Sequence, residues 1–302
     1  MPRIRTSEEF WAVTGGLLGV FLIVGAAAVG LDRLDFEEWS GILTLTALVA
    51  MTLPVLSWLS SKEGDQSLMR LLVFGMIATV VGVVVRYFVV KVVYNDVADA
   101  GVYSDGAAEI AKLMKNGVFT SVPPNLEGRP PETQRVALVL SFFYLVTGAS
   151  RWAGSVVFAW MAFGGRLLMW RALKLAVPEA DHRRYLLLLL FFPSLLYWPA
   201  SIGKEALMML ALGVVSYGAA LLLSDKVRAG SIVVFVGGVA GLVVIRPHYG
   251  ALAVMALGVG SLVGTLRGVG GGAGLRSTLV RVVALGVLLV VAVVVLCLTA
   301  RC

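Results

Sequence analysis

Long apolar segments separated by short polar ones run through the whole sequence. Windows of about nineteen residues predict membrane-spanning helices, because about twenty apolar residues cross a ~30 Å hydrocarbon layer. We place spans at residues 10–30, 40–59, 68–93, 153–173, 185–203, 205–223, 231–246, 249–266 and 279–299. The pattern predicts an all-α, polytopic membrane protein with about nine transmembrane helices. We treat residues 1–302 as a single membrane domain.

Composition excludes a soluble globular chain. The residues AVILMFWYC make up 59% of the sequence and charged residues 14%, whereas globular proteins contain about 25% charged residues. The net charge of +7 comes from 25 Lys and Arg against 18 Asp and Glu. In a membrane protein such an excess sets orientation, because basic loops stay cytoplasmic. We therefore expect membrane lipid as a partner and no nucleic acid; the sequence leaves the oligomeric state open.

The first apolar run follows Arg3 and Arg5 and resembles a signal peptide. The apolar core of a cleaved signal peptide has about 7–15 residues, which is shorter than the run 10–30. We therefore expect an uncleaved first span.

The run 136–150 is ambiguous, because its fifteen residues reach only about 22 Å as a helix. If it does not cross, one group of basic residues lies on a single side, as the positive-inside rule requires. This group comprises Arg3, Arg5, Lys62, Arg70, Lys174, Arg183, Arg184, Lys226, Arg228, Arg267, Arg276 and Arg281. We therefore predict a juxtamembrane or re-entrant helix at 136–150 and a cytoplasmic N-terminus, in a protein of the plasma membrane.

The polar segment 94–135 is the longest loop and lies on the outer side in this topology. Ser104 or Asp105 can cap a helix that ends near Gly117. Its apolar positions recur at helical spacing: Ala107, Ile110, Ala111 and Met114. The segment therefore predicts an outer amphipathic helix lying on the membrane surface.

Acidic and basic side chains gather at the predicted outer boundary. Asp96 and Asp99 follow the third span, and they share a face if its helix continues. Such carboxylates can act as a general base or bind a divalent cation, or they simply solvate the helix end. Arg86 lies eight residues before Tyr94. An arginine inside a span is a functional hypothesis by default, although Arg86 can also snorkel to the interface.

Two later segments carry charge at the same predicted boundary. Lys204 and Glu205 open a helix after the prolines at 193 and 199, which break regular helix. Arg246 closes a span, and His248 follows it. Lys204 and Arg246 together provide two cations near the outer boundary, which can hold a phosphate or pyrophosphate group. Both segments also have a purely structural interpretation. Glu205 is stabilised at a helix N-terminus by the helix dipole, and a lone histidine is more often an interface residue with satisfied hydrogen bonds than a catalyst.

Four short motifs stand in an order that is similar to a known superfamily. They are Asp99-Ala-Gly-Val-Tyr103, Arg129-Pro-Pro-Glu132, Gly148-Ala-Ser150, and Pro193-Ser194 followed by Lys204-Glu205. In this order they resemble the polytopic GT-C glycosyltransferases, and among these the protein mannosyltransferase and aminoarabinose transferase group. The resemblance covers about residues 94–250.

The resemblance implies transfer of a sugar from a polyprenyl-phosphate carrier to an acceptor on the outer side of the membrane. It implies that Asp99 is the base, that Asp96 assists it, and that Glu205 is a further acidic group. The implied substrate-binding residues are Arg86, Tyr103, Lys204, Arg246 and His248. A divalent cation held by Asp96 and Asp99 stays open. The mechanism requires these groups to converge on one pocket.

Other function classes remain open at this stage. A polymerase that joins lipid-linked saccharides would use adjacent chemistry. A transporter or flippase of such lipids would also need broken helices and cations at the outer leaflet, together with polar residues near the membrane midplane. A non-catalytic membrane protein would tolerate the loss of Asp96, Asp99 and Glu205 together.

Overall fold

The computed structural model describes residues 35–95, 98–120, 122–223 and 229–268, and every regular element among them is helical. The helices are α1 Phe36–Glu63, α2 Gln66–Phe88, α3 Asp99–Lys115, α4 Pro131–Thr147, α5 Arg151–Ala176, α6 His182–Phe191, α7 Pro193–Tyr197, α8 Lys204–Leu223, α9 Ala229–Ile245 and α10 Pro247–Gly268. A π-helical segment, Val89–Val93, continues α2, and a 3₁₀ turn, Pro124–Leu126, precedes α4. The predicted all-helical class is confirmed for these residues.

Four helices in the described part of the chain are long and apolar enough to cross a membrane, which indicates a membrane protein. They are α1, α2 with its π-helical continuation, α5 and α8. The predicted spans 231–246 and 249–266 correspond to α9 and α10. The predicted spans 10–30 and 279–299 lie outside the described residues. The count of nine spans therefore stays a prediction.

No continuous helix covers the predicted span 185–203. Helix α6 ends at Phe191, α7 occupies only Pro193–Tyr197, and the next helix begins at Lys204. Pro193 is the first residue of α7, and proline disfavours helical geometry in the residue before it. Phe192 is accordingly extended, with ψ 122°. Average hydropathy over this segment does not detect the break.

The chain divides into two compact units. The first contains residues Met1–Phe163 and Leu186–Ala206, and the second contains Gly164–Tyr185 and Leu207–Cys302. In the second unit, Gly165 of α5 lies directly against the backbone of Met209 in α8, and Gly238 of α9 lies against Val215. Small residues of this kind allow apolar helices to approach at backbone distance.

Helices α1 and α2 of the first unit are antiparallel. The turn between them uses Gly64 at φ 70°, and the Asp65 side chain caps α2 by accepting a bond from the Ser67 amide. Helix α5 runs parallel to α1, because Trp152 lies against Gly41 and the Trp160 indole donates to Thr52 (2.7 Å). The starts of α1 and α5 and the end of α2 therefore lie at one end of the unit.

Helices α6 and α7 follow α2 in the same direction. A β-carbon at Gly75 would overlap the Leu190 side chain, and one at Gly82 would lie tightly, at 3.0 Å, against the Leu196 carbonyl oxygen. Tyr197 then reaches Arg86 near the end of α2. We call the region where residues 36–41, 86–94, 147–152 and 197–204 meet the hairpin end of the first unit.

The hairpin end is named after the helical hairpin α3–α4, whose two helices pack through buried apolar residues. Both ends of α4 are held at the hairpin end. Near its start, Glu132 pairs with Lys204 (3.5 Å); at its finish, the Thr147 carbonyl accepts a bond from Ser40 (2.6 Å). Gly148, at φ 75°, packs closely on Phe36. Helix α4 therefore begins and ends at the same end of the first unit.

Candidate functional site

An apolar groove of about 590 Å³ runs between α2 and the broken helix α6–α7. Its α2 wall is formed by residues three or four positions apart from Leu71 to Val85, which spans about 21 Å of helix. The opposite wall is formed by Leu187, Phe191, Pro193, Leu196 and Tyr197. The groove is open along its length, since Phe74, Ile77 and Val81 are exposed, and its apolar surface can contact a hydrocarbon or isoprenoid chain.

Arg86 lies where the groove reaches the hairpin end. Its Nη1 atom donates to the hydroxyl oxygen of Tyr197 (2.8 Å), and Tyr197 itself lines the groove. The guanidinium also lies over the rings of Tyr197 (4.7 Å), Trp198 (5.0 Å) and Tyr94 (6.0 Å). Cation–π contacts of this kind contribute about 0.5–2 kcal/mol each. The aromatic rings thus fix a cation at the end of the apolar groove.

One donor of Arg86 has no acceptor among the described residues. The Nε atom is buried and makes no hydrogen bond to any of them. A buried donor without a partner costs about 1–3 kcal/mol. Arg86 as a whole is only half-buried, so an anion can approach its guanidinium from the exposed side. The arrangement therefore favours an anionic ligand whose apolar tail lies in the groove.

Asp99 is exposed in the first turn of α3. The π-helical continuation of α2 ends at Val93, and Asn95 has φ 49°, so the preceding helix does not continue to Asp99. Asp96, predicted to share a face with Asp99, lies outside the described residues. A carboxylate in the first turn of a helix is favoured by the partial positive charge there. Asp99 is thus accessible at the first turn of α3.

Arg151 holds the beginning of α3 against the transmembrane helices. It pairs with Asp105 (3.4 Å), and its guanidinium lies beside Gly101. The next residue, Trp152, packs against Tyr87 with the two rings tilted and their centroids 4.7 Å apart. Tyr87 directly follows Arg86 in α2. A continuous series of contacts therefore joins α3, which carries Asp99, to the segment that carries Arg86.

Lys204 is engaged by Glu132, a partner that the sequence analysis did not assign to it. The two side chains lie 3.5 Å apart and are 16% and 37% exposed, respectively. A hydrogen bond from its own backbone amide, together with the charge of Lys204, lowers the pKa of Glu132. Lys204 is therefore fixed at the hairpin end by an ionised carboxylate. Glu205 follows it, is exposed, and folds back over Gly203.

Tyr103, predicted to bind substrate, lies inside the α3–α4 hairpin and is 3% exposed. Its neighbour Ser104 is also buried and shares a hydrogen bond with the Tyr144 hydroxyl (2.8 Å). The prediction that Ser104 or Asp105 caps this helix is wrong, because α3 begins at Asp99 and both residues are inside it. The predicted end is confirmed: Gly117, at φ 77°, follows the last turn.

Arg246 and His248 belong to the second unit, at the junction of α9 and α10. The Arg246 guanidinium lies 6.0 Å from the centroid of the Tyr249 ring, and the centroids of the His248 and Tyr249 rings are 4.8 Å apart. The other described residues of the predicted site, namely Arg86, Asp99, Tyr103, Lys204 and Glu205, belong to the first unit. A contact of Arg246 and His248 with the same substrate stays a prediction.

The metal hypothesis gains no support from the described side chains. They contain no cluster of three or more His, Cys, Asp or Glu residues with metal-binding geometry. Asp96, half of the predicted cation site, is not among them. A cation held by Asp96 and Asp99 therefore stays a prediction.

Sequence reasoning missed a buried arginine in α5. Arg166 is 1% exposed and lies within a helix long enough to cross a membrane. A buried charge in such a helix is rare and commonly functional. Arg166 interrupts the apolar run 153–173, so the sequence does indicate it. The average hydropathy of a nineteen-residue window does not reveal a single charged residue.

Comparison of the chain with protein-family models, curated proteins and solved structures gives no match.

Proposed function

We propose that this protein is a membrane glycosyltransferase that transfers a sugar from a polyprenyl-phosphate carrier to an acceptor on the outer side of the membrane. The observation that carries the proposal is the apolar groove with Arg86 at its end. The isoprenoid chain occupies the groove, and the carrier phosphate lies beside the half-buried guanidinium of Arg86. A soluble nucleotide sugar would not require an apolar groove leading to its phosphate.

Helix α3, which packs with α4 as the helical hairpin, supplies the remaining chemistry of this proposal through Asp99. Asp99 takes the proton of the acceptor hydroxyl as its oxygen attacks the anomeric carbon. The bond from that carbon to the phosphate oxygen breaks, and the electron pair leaves with the carrier phosphate. Arg86 offsets the charge that develops on the departing phosphate, which is a positioning and electrostatic task. Inversion at the anomeric carbon follows from this single displacement.

The path of α4 supports the proposed topology. Because Lys204 holds its start and Ser40 its finish at the hairpin end, α4 is interpreted as a helix that lies across that end without crossing the membrane. The hairpin end then faces the outer side and the N-terminus the cytoplasm, in agreement with the distribution of basic residues. Asp99, Arg86 and Lys204 thereby share one membrane side in this proposal.

Replacing Arg86 by glutamine is expected to weaken binding of farnesyl phosphate, a short polyprenyl phosphate, about tenfold to a hundredfold. The reason is the loss of charge-assisted hydrogen bonds, which contribute roughly 1.5–3 kcal/mol, with tenfold in affinity for every 1.4 kcal/mol. Binding is measured with the purified protein in nanodiscs. The same variant should lose transfer of radiolabelled sugar from the carrier.

Arg70→Gln is the matched control, since Arg70 is an exposed arginine of α2 at the opposite end of that helix. It should bind farnesyl phosphate as the wild type does. Equal affinity of Arg86→Gln and the wild type would remove the phosphate site from the proposal.

A bulky side chain in the groove should weaken binding of the isoprenoid chain and leave the phosphate contact with Arg86 in place. Ala78 lines the groove, so Ala78→Trp is expected to reduce affinity for farnesyl phosphate at least tenfold, because apolar burial contributes about 0.8 kcal/mol per CH₂ group. Val84→Trp places the same side chain on α2 outside the groove, at an exposed position. If both variants bind the lipid equally well, the chain lies elsewhere.

The broken helix α6–α7 also favours a second candidate, a transporter of lipid-linked saccharides, because discontinuous helices line substrate sites in transporters. The two functions differ in their need for Asp99. A transporter would move the labelled lipid across proteoliposomes and retain that activity in Asp99→Asn, whereas a transferase would lose product. A polymerase that joins lipid-linked units would also release the lipid carrier from its donor saccharide, and it would differ in its acceptor.

A further inference from the structure

We infer that Trp198 forms a binding platform for the sugar of the lipid-linked donor, beside the phosphate held at Arg86. The inference rests on the proposed function and names the group that recognises the sugar within it. Its geometric basis is the ring of Trp198, which lies 5.0 Å from the Arg86 guanidinium and is 53% exposed.

The ring is held in place from two sides. Tyr197 meets it edge to face, with 5.4 Å between centroids and 80° between planes, and Arg86 lies over it. Directly after Pro199, the backbone is anchored by Ala200, which belongs to a buried cluster with Val83, Val156 and Ala159. An exposed aromatic ring that is fixed in this way can bind a ligand with little loss of conformational entropy.

The position of the ring matches the chemistry of a glycosyl phosphate. The sugar is linked directly to the phosphate, so a phosphate beside Arg86 places the sugar within reach of groups that surround the guanidinium. One face of a hexose presents C–H bonds, which pack well against the electron-rich face of an indole. Of the rings around Arg86, Tyr197 is committed to the hydrogen bond and to the groove wall. Tyr94 is 46% exposed and lies 6.0 Å from the guanidinium, whereas Trp198 is 53% exposed and lies 5.0 Å from it.

A simpler interpretation treats Trp198 as one of the interfacial tryptophans of membrane proteins, which anchor helices at the headgroup level. That interpretation predicts no effect on the choice between lipids that differ only in the sugar. The ratio of two affinities therefore separates the interpretations. It also cancels any change in phosphate binding that follows from the lost contact between Trp198 and Arg86.

The test compares farnesyl phosphate with farnesyl phosphomannose and farnesyl phosphoglucose, bound to the full-length protein in nanodiscs. We expect the wild type to prefer at least one glycosylated lipid, and Trp198→Ala to reduce that preference about threefold to tenfold, in line with the contribution of aromatic contacts. Trp198→Phe should retain most of the preference. Trp58→Ala is the matched control, because Trp58 is also exposed and carries a cation, Lys62, over its ring at 5.2 Å.

Equal affinities of the wild type for all three lipids, or an unchanged preference in Trp198→Ala, would overturn the sugar platform alone. Failure of the wild type to bind any of the three lipids would instead overturn the proposed function. A preference that disappears equally in Trp198→Ala and Trp58→Ala would show a general effect of the lost tryptophan and would also count against the platform.

Discussion

Asp99→Asn is expected to abolish sugar transfer while leaving folding and donor binding intact. Asparagine keeps the shape of the side chain but cannot accept the proton of the acceptor hydroxyl. A positioned general base contributes about 10²–10⁴-fold to a rate, so the variant should fall at least a hundredfold below the wild type. Asp99 is exposed, and its favourable interaction with the N-terminus of α3 is worth only about 0.3–1 kcal/mol. Structural damage should therefore be slight.

The measurement is transfer of radiolabelled sugar in membranes, with equal amounts of protein confirmed for each variant. Glu109→Gln removes another carboxylate of α3 and should keep activity within a few fold of the wild type. Donor binding to Asp99→Asn should be unchanged, because Asp99 acts on the acceptor in this mechanism. Transfer at the wild-type rate by Asp99→Asn would remove the assignment of the base.

The positions of the helices could be predicted from apolar runs, because a long helix in a membrane needs a continuous apolar sequence. Helices α1, α2, α5 and α8 all lie where hydropathy placed them. The break before Pro193 could not be predicted from the same average, since the residues on both sides are apolar. The prolines at 193 and 199 predicted it instead. The start of α3 was placed too late, because Ser104 can serve as a cap but instead bonds to Tyr144 inside the hairpin.

Some residues of the candidate site could likewise be predicted from the sequence, whereas their partners could not. Arg86 could be selected from the sequence because a charge within an apolar run is costly and therefore conspicuous. Its aromatic partners could not, because Tyr197 is 111 positions away and its contact depends on how α6–α7 packs along α2. The prediction for Lys204 treated it as a cation available to phosphate. Its pairing with Glu132 depends on the path of α4, which no local pattern in the sequence reveals.

Close helix packing in the second unit leads to the largest expected effect on stability. Gly165→Ala is expected to destabilise the protein by about 1–3 kcal/mol or more, the usual cost of overpacking. A β-carbon at Gly165 would overlap the Met209 carbonyl oxygen and lie 2.7 Å from its carbonyl carbon. Both atoms are backbone, so no side chain can rotate away, and α5 and α8 must separate. Gly213 faces the Gly165 backbone at the same contact.

The neighbouring glycine supplies a control with the opposite sign. In the described part of the chain, no atom beyond the adjoining residues and backbone of its own helix lies within 4 Å of a β-carbon built at Gly164. Gly164→Ala should therefore stabilise the helix, by up to about 1 kcal/mol, through its higher helix propensity. The comparison uses the temperature at which half of each purified variant stays monodisperse after heating. Equal temperatures for the two variants would mean that α5 and α8 do not meet at Gly165. A lower value for Gly165→Ala alone would establish that backbone contact and would hold whether or not the protein transfers a sugar.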